Sequence, residues 1–278
     1  MRRAFIAPLA IAAYASIASA QQPPPTGRWH ADVGIVSTVM PAYPGSDEQT
    51  VRALPMASVE YGRFFLGPST AGLGAATGAY LVRSSAFTWT AEVGAAMSRM
   101  DDGADALAGM DDQSVGAVLG SHVAYMTPIA KLSASVAAGR RKHEGLSGNL
   151  SVETGAPIGR WMVGAGTSAV FGDHYNVAYD FGVSSREAAR RQALVAGGDT
   201  RLRPGEDRAF APRGGLKELR TQAMIGRTLS ERITGAMFAG VSRLEGDAAD
   251  SPLTRRRTTV SSGVALLYRF GAPGGGMF

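Results

Sequence analysis

The sequence consists largely of segments about ten residues long in which apolar residues alternate with polar or small ones. Segment 261–270 shows this pattern clearly. Val264, Leu266, Tyr268 and Phe270 fall on one face, whereas the other carries mainly small or polar residues and ends at Arg269. Because successive side chains of a β-strand point to opposite faces, the pattern predicts a strand with one apolar face.

The same alternation recurs along the chain and predicts about twelve strands. These cover residues 29–39, 51–61, 63–66, 72–82, 87–98, 114–126, 129–141, 150–157, 161–171, 216–229, 232–246 and 261–270. Tight joints alternate with longer ones, as in transmembrane barrels with short turns on one side and long loops on the other. We expect the joint near 67–69 to lie on the side of the short turns. We therefore predict an all-β fold, a transmembrane antiparallel β-barrel. Twelve strands are favoured, with ten as the fallback if 63–82 packs elsewhere.

Two segments depart from simple alternation. Pro55 lies in the middle of a predicted strand, where it removes a ladder hydrogen bond unless the strand has a free edge or a bulge there. Residues 173–214 form the longest segment without a strand pattern and allow a helical piece around 185–193.

The chain begins with features of an export signal. Arg2 and Arg3 precede an apolar run, and 18–20 read Ala-Ser-Ala, which together predict a signal peptide at 1–20. Residues 21–28 then form a proline-rich periplasmic leader, 29–270 the barrel, and 271–278 a flexible C-terminal tail. No later segment has the 18 consecutive apolar residues of a spanning helix.

Composition favours a barrel wall over a soluble enzyme. The chain has 36 glycines, no cysteine and only 18% charged residues. Removing Arg2 and Arg3 leaves 28 − 2 = 26 basic and 23 acidic residues, so the mature charge is about +3. Because the basic residues are scattered and the chain is exported, we predict no nucleic-acid partner.

Several ordered motifs carry a family resemblance. They are PAYPGSD at 41–47, Leu54-Pro55, YGRFFL at 61–66, YDFGVS at 179–184 and FAPRGG at 210–215. Together with the signal peptide and the last strand, this order resembles the MipA/OmpV family of outer-membrane proteins, named after the MltA-interacting protein. Two departures are Asp180-Phe181, where the family usually has a tyrosine pair, and the glycine-rich tail.

The resemblance implies a non-catalytic, monomeric barrel in the cell outer membrane of a Gram-negative bacterium. It further implies a scaffold that links murein synthases and murein hydrolases to that membrane, in contact with lipid and lipopolysaccharide. Two alternatives stay open, a small-solute pore and a surface adhesin. The resemblance carries over no catalytic, cofactor-binding or metal-binding residues, and we predict none.

Histidines and acidic residues suggest more specific sites that we do not favour. His30 and His122 are predicted on the lumen face, and His143 and His174 in loops, without a nucleophile that can be paired with any of them. The five aspartates at 101, 102, 105, 111 and 112 lack the ligand spacing of an EF-hand, so a solvated acidic loop is expected.

Charged residues elsewhere leave alternatives open. Arg255, Arg256 and Arg257 either bind lipopolysaccharide phosphates or form a solvated basic turn. Seven charged residues are predicted to point inward, where they either line a pore or pair and fill the lumen: Asp32, Glu60, Glu92, Lys131, Glu153, Arg220 and Arg269. Five aromatics near strand ends are predicted to anchor the barrel at the membrane interface: Trp29, Trp89, Trp161, Tyr268 and Phe270.

Overall fold

The computed structural model describes residues 29–72, 74–96, 103–112, 116–139 and 145–271. The predicted signal peptide, the leader up to residue 28 and the tail beyond 271 lie outside these ranges. Their boundaries therefore stay predictions.

Twelve antiparallel strands form a closed barrel, in which β1 pairs with both β2 and β12. The strands are β1 (Trp29–Pro41), β2 (Gln49–Tyr61), β3 (Phe64–Pro68), β4 (Ala75–Arg83), β5 (Phe87–Ala96), β6 (Gly116–Met126), β7 (Lys131–Ala138), β8 (Leu146–Ile158), β9 (Trp161–Asp173), β10 (Gly214–Ser230), β11 (Ile233–Leu244) and β12 (Thr258–Gly271). The predicted fold class and the count of twelve are confirmed.

Alternation determines the faces of the wall as predicted. In β12, Val264 and Leu266 are each 49% exposed, whereas Ala265 and Leu267 are 6% and 4% exposed. The exposed apolar side chains point away from the barrel axis, towards lipid. The buried ones fill the lumen.

The two rims of the barrel differ strongly. One rim, here the turn rim, has connections of two to four residues between strands, such as Gly159 and Arg160 between β8 and β9. The other, the loop rim, carries the long connections and three helices: α1 (His174–Phe181), α2 (Ser185–Ala196) and α3 (Gly246–Asp250). The predicted helical piece around 185–193 corresponds to α2.

One joint was predicted on the wrong side. We expected the joint near 67–69 to lie with the short turns. β3 instead runs away from the turn rim after Gly62, so its connection to β4 belongs to the loop side and bends into the lumen. The error arises because β3 has only five residues and β2 pairs with it only over Val59–Tyr61.

This short pairing also accounts for Pro55. Within the described residues, the part of β2 before Val59 pairs only with β1, where Pro55 lies opposite Ile35. A strand with a free edge can include proline because fewer of its N–H groups take part in a ladder.

Candidate functional site: the lumen and its outer cap

Four connections of the loop rim meet in one buried cluster. Its centre is Leu253, which is fully buried and packs with Tyr43, Leu107 and Val183. These residues come from the connections β11–β12, β1–β2, β5–β6 and β9–β10. Because the connections start from opposite sides of the barrel, they meet over its mouth, and we call this assembly the outer cap.

A fully buried arginine connects the cap segments. Arg191 of α2 has no exposed surface. Its Nε donates to the Glu206 carbonyl at 2.8 Å, and its Nη1 donates to the carbonyls of Ala106 and Ala108 at 2.8 and 3.0 Å. A guanidinium that satisfies carbonyls of two separate segments holds them in one geometry. Sequence reasoning missed this role, which depends on contacts far apart in the chain.

The helix that presents Arg191 begins with a complete capping box. The Ser184 side chain accepts from the Glu187 backbone N–H, and the Glu187 side chain accepts from the Ser184 backbone N–H. Glu187 also accepts from the Asp111 N–H at 3.1 Å, which connects the start of α2 to the β5–β6 segment. The cap therefore uses the same side chain to start a helix and to fix a neighbouring loop.

The basic triplet at 255–257 differs from our prediction of three residues facing outward. The Arg255 side chain is only 5% exposed and donates from Nε to Glu206 at 2.8 Å, with Asp47 also close. Arg257 pairs with Asp250 at 2.8 Å, whereas Arg256 is exposed. Because Arg255 is used inside the cap, the triplet is not a free phosphate-binding turn.

The cap should open at acidic pH because of Asp47. Burial alone would raise the pKa of this carboxyl, but the hydrogen bond and charge of Arg203 and the charge of Arg255 outweigh it and lower the pKa. A carboxyl with a lowered pKa stabilises the closed cap above its ordinary pKa, and that stabilisation is lost as the pH falls through the lowered value.

We therefore expect pepsin to cut the cap increasingly below about pH 4, the ordinary range of an aspartate. Asp47→Asn should already be cut faster at about pH 5 and should lose part of the pH dependence. Asp207→Asn, in the β9–β10 connection of the same cap, is the control. Equal pH profiles for wild type and Asp47→Asn would contradict the role of this carboxyl.

The cap is joined to the wall by a β-bulge. The pairing of β10 with β9 shifts between Leu216 and Glu218, so two consecutive side chains, Lys217 and Glu218, are both buried. Lys217 donates to Asn176 and Asp180 of α1, each at 2.8 Å. The bulge thus directs one residue to the cap and the next to the lumen.

All seven charged residues predicted in the lumen have polar partners. The ion pairs are Asp32 with Arg269 at 2.9 Å, Glu60 with Arg83 at 3.1 Å, Lys131 with Glu153 at 2.6 Å and Arg220 with Glu218 at 2.6 Å. Sequence reasoning missed the partners Arg83 and Glu218. Glu92, the seventh, is bonded to uncharged groups of the β3–β4 joint.

One side of the lumen is apolar and packed. Val36, Leu267, Ala236 and Ala265 are buried there, and Met56, Met224 and Phe238 pack against them. These residues come from β1, β2 and β10–β12, which are neighbours in the closed barrel. Their burial to 2–6% leaves little room for water on this side.

The histidines are placed as expected, apart from His143, which lies outside the described residues. His30 lies 3.7 Å from the Glu60 carboxylate, His122 is on the lumen face opposite Ser135, and His174 begins α1. Within the described ranges, no hydrogen bond joins a histidine to a serine or threonine hydroxyl, and no group of three or more acidic or histidine side chains is placed to hold a metal. Asp101 and Asp102 of the acidic loop are outside those ranges.

Aromatic side chains form a belt at the turn rim. Trp29 and Trp161 begin strands there, Trp89 lies near the start of β5, and Phe270 lies near the end of β12. All four are 42–54% exposed on the outer surface, and the Tyr268 ring packs on that of Phe270 at 4.6 Å. Exposed aromatics in this arrangement are typical of a membrane interface.

Fold and surface together define the class of protein. No described helix is both long and apolar enough to cross a membrane. The wall itself is a closed antiparallel barrel with an apolar outer face, a polar and ion-paired interior and an aromatic belt, which is the architecture of a bacterial outer-membrane β-barrel. The protein therefore lies in the outer membrane of a Gram-negative bacterium, with the turn rim towards the periplasm.

Comparison with known families agrees with this class. The family described as MltA-interacting protein MipA matches residues 33–270. The chain belongs to this family. None of the curated proteins matches it.

Solved outer-membrane proteins show distant likeness. The NanC porin has a TM-score of 0.44 and 5% identity, over 85% of this chain and 98% of that chain. An outer membrane channel from Pseudomonas putida F1 has a TM-score of 0.41 and 10% identity, over 91% and 98%. The toluene transporter TodX from Pseudomonas putida has a TM-score of 0.37 and 10% identity, over 94% and 93%. Similarity this low does not inform function.

Three of the five segments that carry the family resemblance, 41–47, 179–184 and 210–215, contribute to the cap. Tyr43, from the 41–47 motif, is 4% exposed and donates to the Leu253 carbonyl at 2.8 Å. Gly45 has a φ of +94°, and its carbonyl accepts from the N–H groups of Arg255 and Arg256. Val183 and Phe210, from the two later motifs, pair as an isolated bridge. These motifs therefore have a structural role at the loop rim.

Proposed function

We propose that the protein is a non-catalytic outer-membrane barrel, closed at rest, that attaches murein enzymes to the membrane from the periplasmic side. The observation that carries the proposal is the closed interior. Six of the seven inward charges predicted from the sequence are ion-paired, and the outer cap crosses the mouth. A barrel built in this way is suited to anchoring a partner rather than to bulk solute flow.

The partner class comes from the family. Its description names an interaction with MltA, and the corresponding partner of this chain would be a murein hydrolase. The resemblance implies a murein synthase as a second partner, bound to the same side of the barrel. Both enzymes act in the periplasm, so the contact must lie on the periplasmic side.

The turns themselves offer little contact area. Gly62–Arg63 and Gly159–Arg160 contain two residues each, and the longest connection on this rim, 127–130, contains four. A standard interface buries about 800 Å² per partner. The leader 21–28 and the tail 272–278 adjoin the same rim, because β1 begins and β12 ends there. We therefore expect them to supply much of the contact, ordering as they bind.

A deletion experiment tests this assignment. Removing 21–27 together with 272–278 should weaken capture of a purified murein hydrolase at least tenfold, while heat-modifiable gel migration still shows a folded barrel. The matched control removes 184–209 from the loop rim. Val183 and Phe210 exchange backbone hydrogen bonds of 2.9 and 2.8 Å, so a short glycine linker can join them.

The control deletion should leave capture unchanged. If capture instead survives the first deletion and is lost on removing 184–209, the long loop is the binding element. The protein would then have an outward-facing role, as an adhesin or surface receptor, and the scaffold proposal would be wrong.

A small-solute pore is the second candidate, and one observation favours it. The wall of β6–β8 faces the lumen with mostly small and polar side chains, including Ser133, Ser135 and Ser151. Steady conductance of the wild-type protein in planar bilayers would support a pore that is open at rest.

A further inference from the structure

The β3–β4 joint enters the lumen and is bound there mainly by one carboxylate. Glu92 of β5 is 5% exposed and accepts from the N–H groups of Thr70 and Ala71 at 3.1 and 2.7 Å. It also accepts from the hydroxyls of Ser69 and Thr70. We call residues 69–72 the inward turn. These four donors all end on Glu92, and Thr90 adds a further contact, its hydroxyl lying 2.9 Å from that of Thr70. Glu92 is therefore the main side chain that holds the turn in place.

Two glycines make the space for this contact. Gly78 and Gly120 lie on either side of Glu92 in the pairing of β4, β5 and β6. A Cβ on Gly120 would lie 2.9 Å from the Ala71 Cβ and 3.1 Å from the Glu92 Oε1. A Cβ on Gly78 would lie 2.8 Å from the Glu92 Cβ. The turn and the carboxylate therefore occupy a space that exists only because residues 78 and 120 are glycines. Any larger residue at either position would fill part of that space.

The inward turn crosses much of the lumen. Ala71 packs against Val118 of β6 and Ala137 of β7, three strands away from β4 around the wall. In the antiparallel pairing of β2 with β3, Gly67 lies beside Ser58. Two residues forward from Gly67 and two residues back from Ser58, the start of the turn lies level with Met56. Met56 belongs to the packed apolar side of the lumen. The turn therefore narrows the lumen at the level of the packed apolar side.

The wall near the turn is suited to a hydrophilic solute. Thr90, His122, Ser135 and Asn149 form one row across β5–β8, all on the lumen face. His122 Nδ1 and Asn149 Oδ1 are buried and have no hydrogen-bond partner in the described part of the protein. Buried polar atoms normally have partners, so two unpaired ones in the same row indicate a position where a small polar molecule can bind.

We propose that this row lines a path for small hydrophilic solutes, preferably cations, which two barriers in series keep closed. The inner barrier is the inward turn on Glu92, and the outer barrier is the cap. The path goes beyond the scaffold role, since that role needs no transport. It conducts only when both barriers are displaced, because a solute must pass each of them in turn.

The charge of the path follows from its side chains. Lys131 and Glu153 pair at 2.6 Å and cancel. In the described part of the protein, Glu92 accepts only from uncharged groups of the inward turn, so it becomes an unpaired negative charge once the turn leaves. Opening that retains Glu92 should therefore favour cations, whereas opening that removes Glu92 should not.

Conductance of single and combined variants in planar bilayers tests the two barriers. The cap-open variant lacks 184–209, and Glu92→Ala releases the inward turn. We expect the combination to conduct at least tenfold more than either variant alone. Glu60→Ala is the matched control, because Glu60 is also a lumen carboxylate but bonds Tyr80 and Arg83 instead of the turn. In the cap-open background it should add no conductance.

A charge-preserving variant tests the selectivity. Gly120→Ala places a methyl against Ala71 and should displace the turn while Glu92 remains. With the cap open, it should give a K⁺/Cl⁻ permeability ratio several-fold above that of Glu92→Ala, measured from reversal potentials in a KCl gradient. If heat-modifiable migration shows that Glu92→Ala does not fold, Gly120→Ala takes its place in the conductance test. Equal ratios for the two variants would rule out Glu92 as the charge of the path.

A disulfide tests whether the turn itself moves. The chain has no cysteine, so Ala71→Cys with Ala137→Cys can form only the intended crosslink within one molecule. In the cap-open Glu92→Ala background, oxidation should reduce conductance to the level of the cap-open variant, and a reductant should restore it. Unchanged conductance after confirmed crosslinking would overturn the proposal. The proposal would also be overturned if the cap-open variant alone had the same conductance as the cap-open variant with Glu92→Ala.

Discussion

Replacing Val264 with arginine should lower the free energy of unfolding of the barrel by about 2–4 kcal/mol, the cost of a charge at the bilayer midplane. Val264 lies at the middle of the 14-residue strand β12, and its side chain is 49% exposed on the lipid side. The guanidinium cannot reach water from this depth without distorting the bilayer. Reversible unfolding in phospholipid vesicles, followed by tryptophan fluorescence, measures the change.

The same strand offers a matched control. Val260 has the same side chain, is 53% exposed on the same face and lies two residues from the start of β12. Val260→Arg should cost only about 0–1 kcal/mol because the arginine can extend to the headgroups. Equal costs at the two positions would show that β12 does not cross the membrane at the depth its register indicates.

Replacing Arg191 with alanine should open the outer cap while leaving the barrel intact. The change removes three hydrogen bonds from a fully buried guanidinium and leaves the carbonyls of Ala106, Ala108 and Glu206 without it. A hydrogen bond to a charged group contributes about 1.5–3 kcal/mol, and a buried acceptor left without a partner costs about 1–3 kcal/mol. Protease cleavage of 184–209 should then be roughly a hundredfold faster or more, since about 1.4 kcal/mol corresponds to a factor of ten.

Arg186→Ala is the control within the same helix. Its side chain is 78% exposed and lies 3.6 Å from Asp111, so its ion pair should contribute only about 0–1 kcal/mol. Heat-modifiable migration should be unchanged in both variants. If Arg191→Ala is cleaved no faster than Arg186→Ala, the buried guanidinium does not hold the cap together.

Alternation in the sequence predicts the wall well. The period of two assigns each side chain of β12 to lipid or lumen, and the inward positions of Asp32, Lys131 and Arg269 follow from the same rule. These predictions succeed because the membrane and the lumen impose opposite polarity at every step along a strand. The local pattern of apolar and polar residues is then sufficient to assign each side chain to the lipid face or the lumen face.

Contacts between segments that are distant in the sequence cannot be predicted from local alternation. Ser69 and Glu92 are 23 residues apart, and Arg191 meets Ala106 across 85 residues. Arg255 was predicted to face outward because it lies in an outer loop, yet its side chain is only 5% exposed and pairs with Glu206, 49 residues earlier. The inward turn was likewise hidden, because its residues are small and gain their role only from the Glu92 carboxylate.

The aromatic belt at a single rim bears on how this protein responds to bilayer thickness. Among the described strand residues, the most exposed aromatics lie near the turn rim, with Phe171 near the opposite rim as the exception. A barrel anchored mainly at one interface keeps that interface fixed when the hydrocarbon region thickens or thins. The mismatch then falls on the opposite leaflet, below the cap. Lipids of different chain length should therefore shift the depth of the loop rim and leave the periplasmic turns at a constant height.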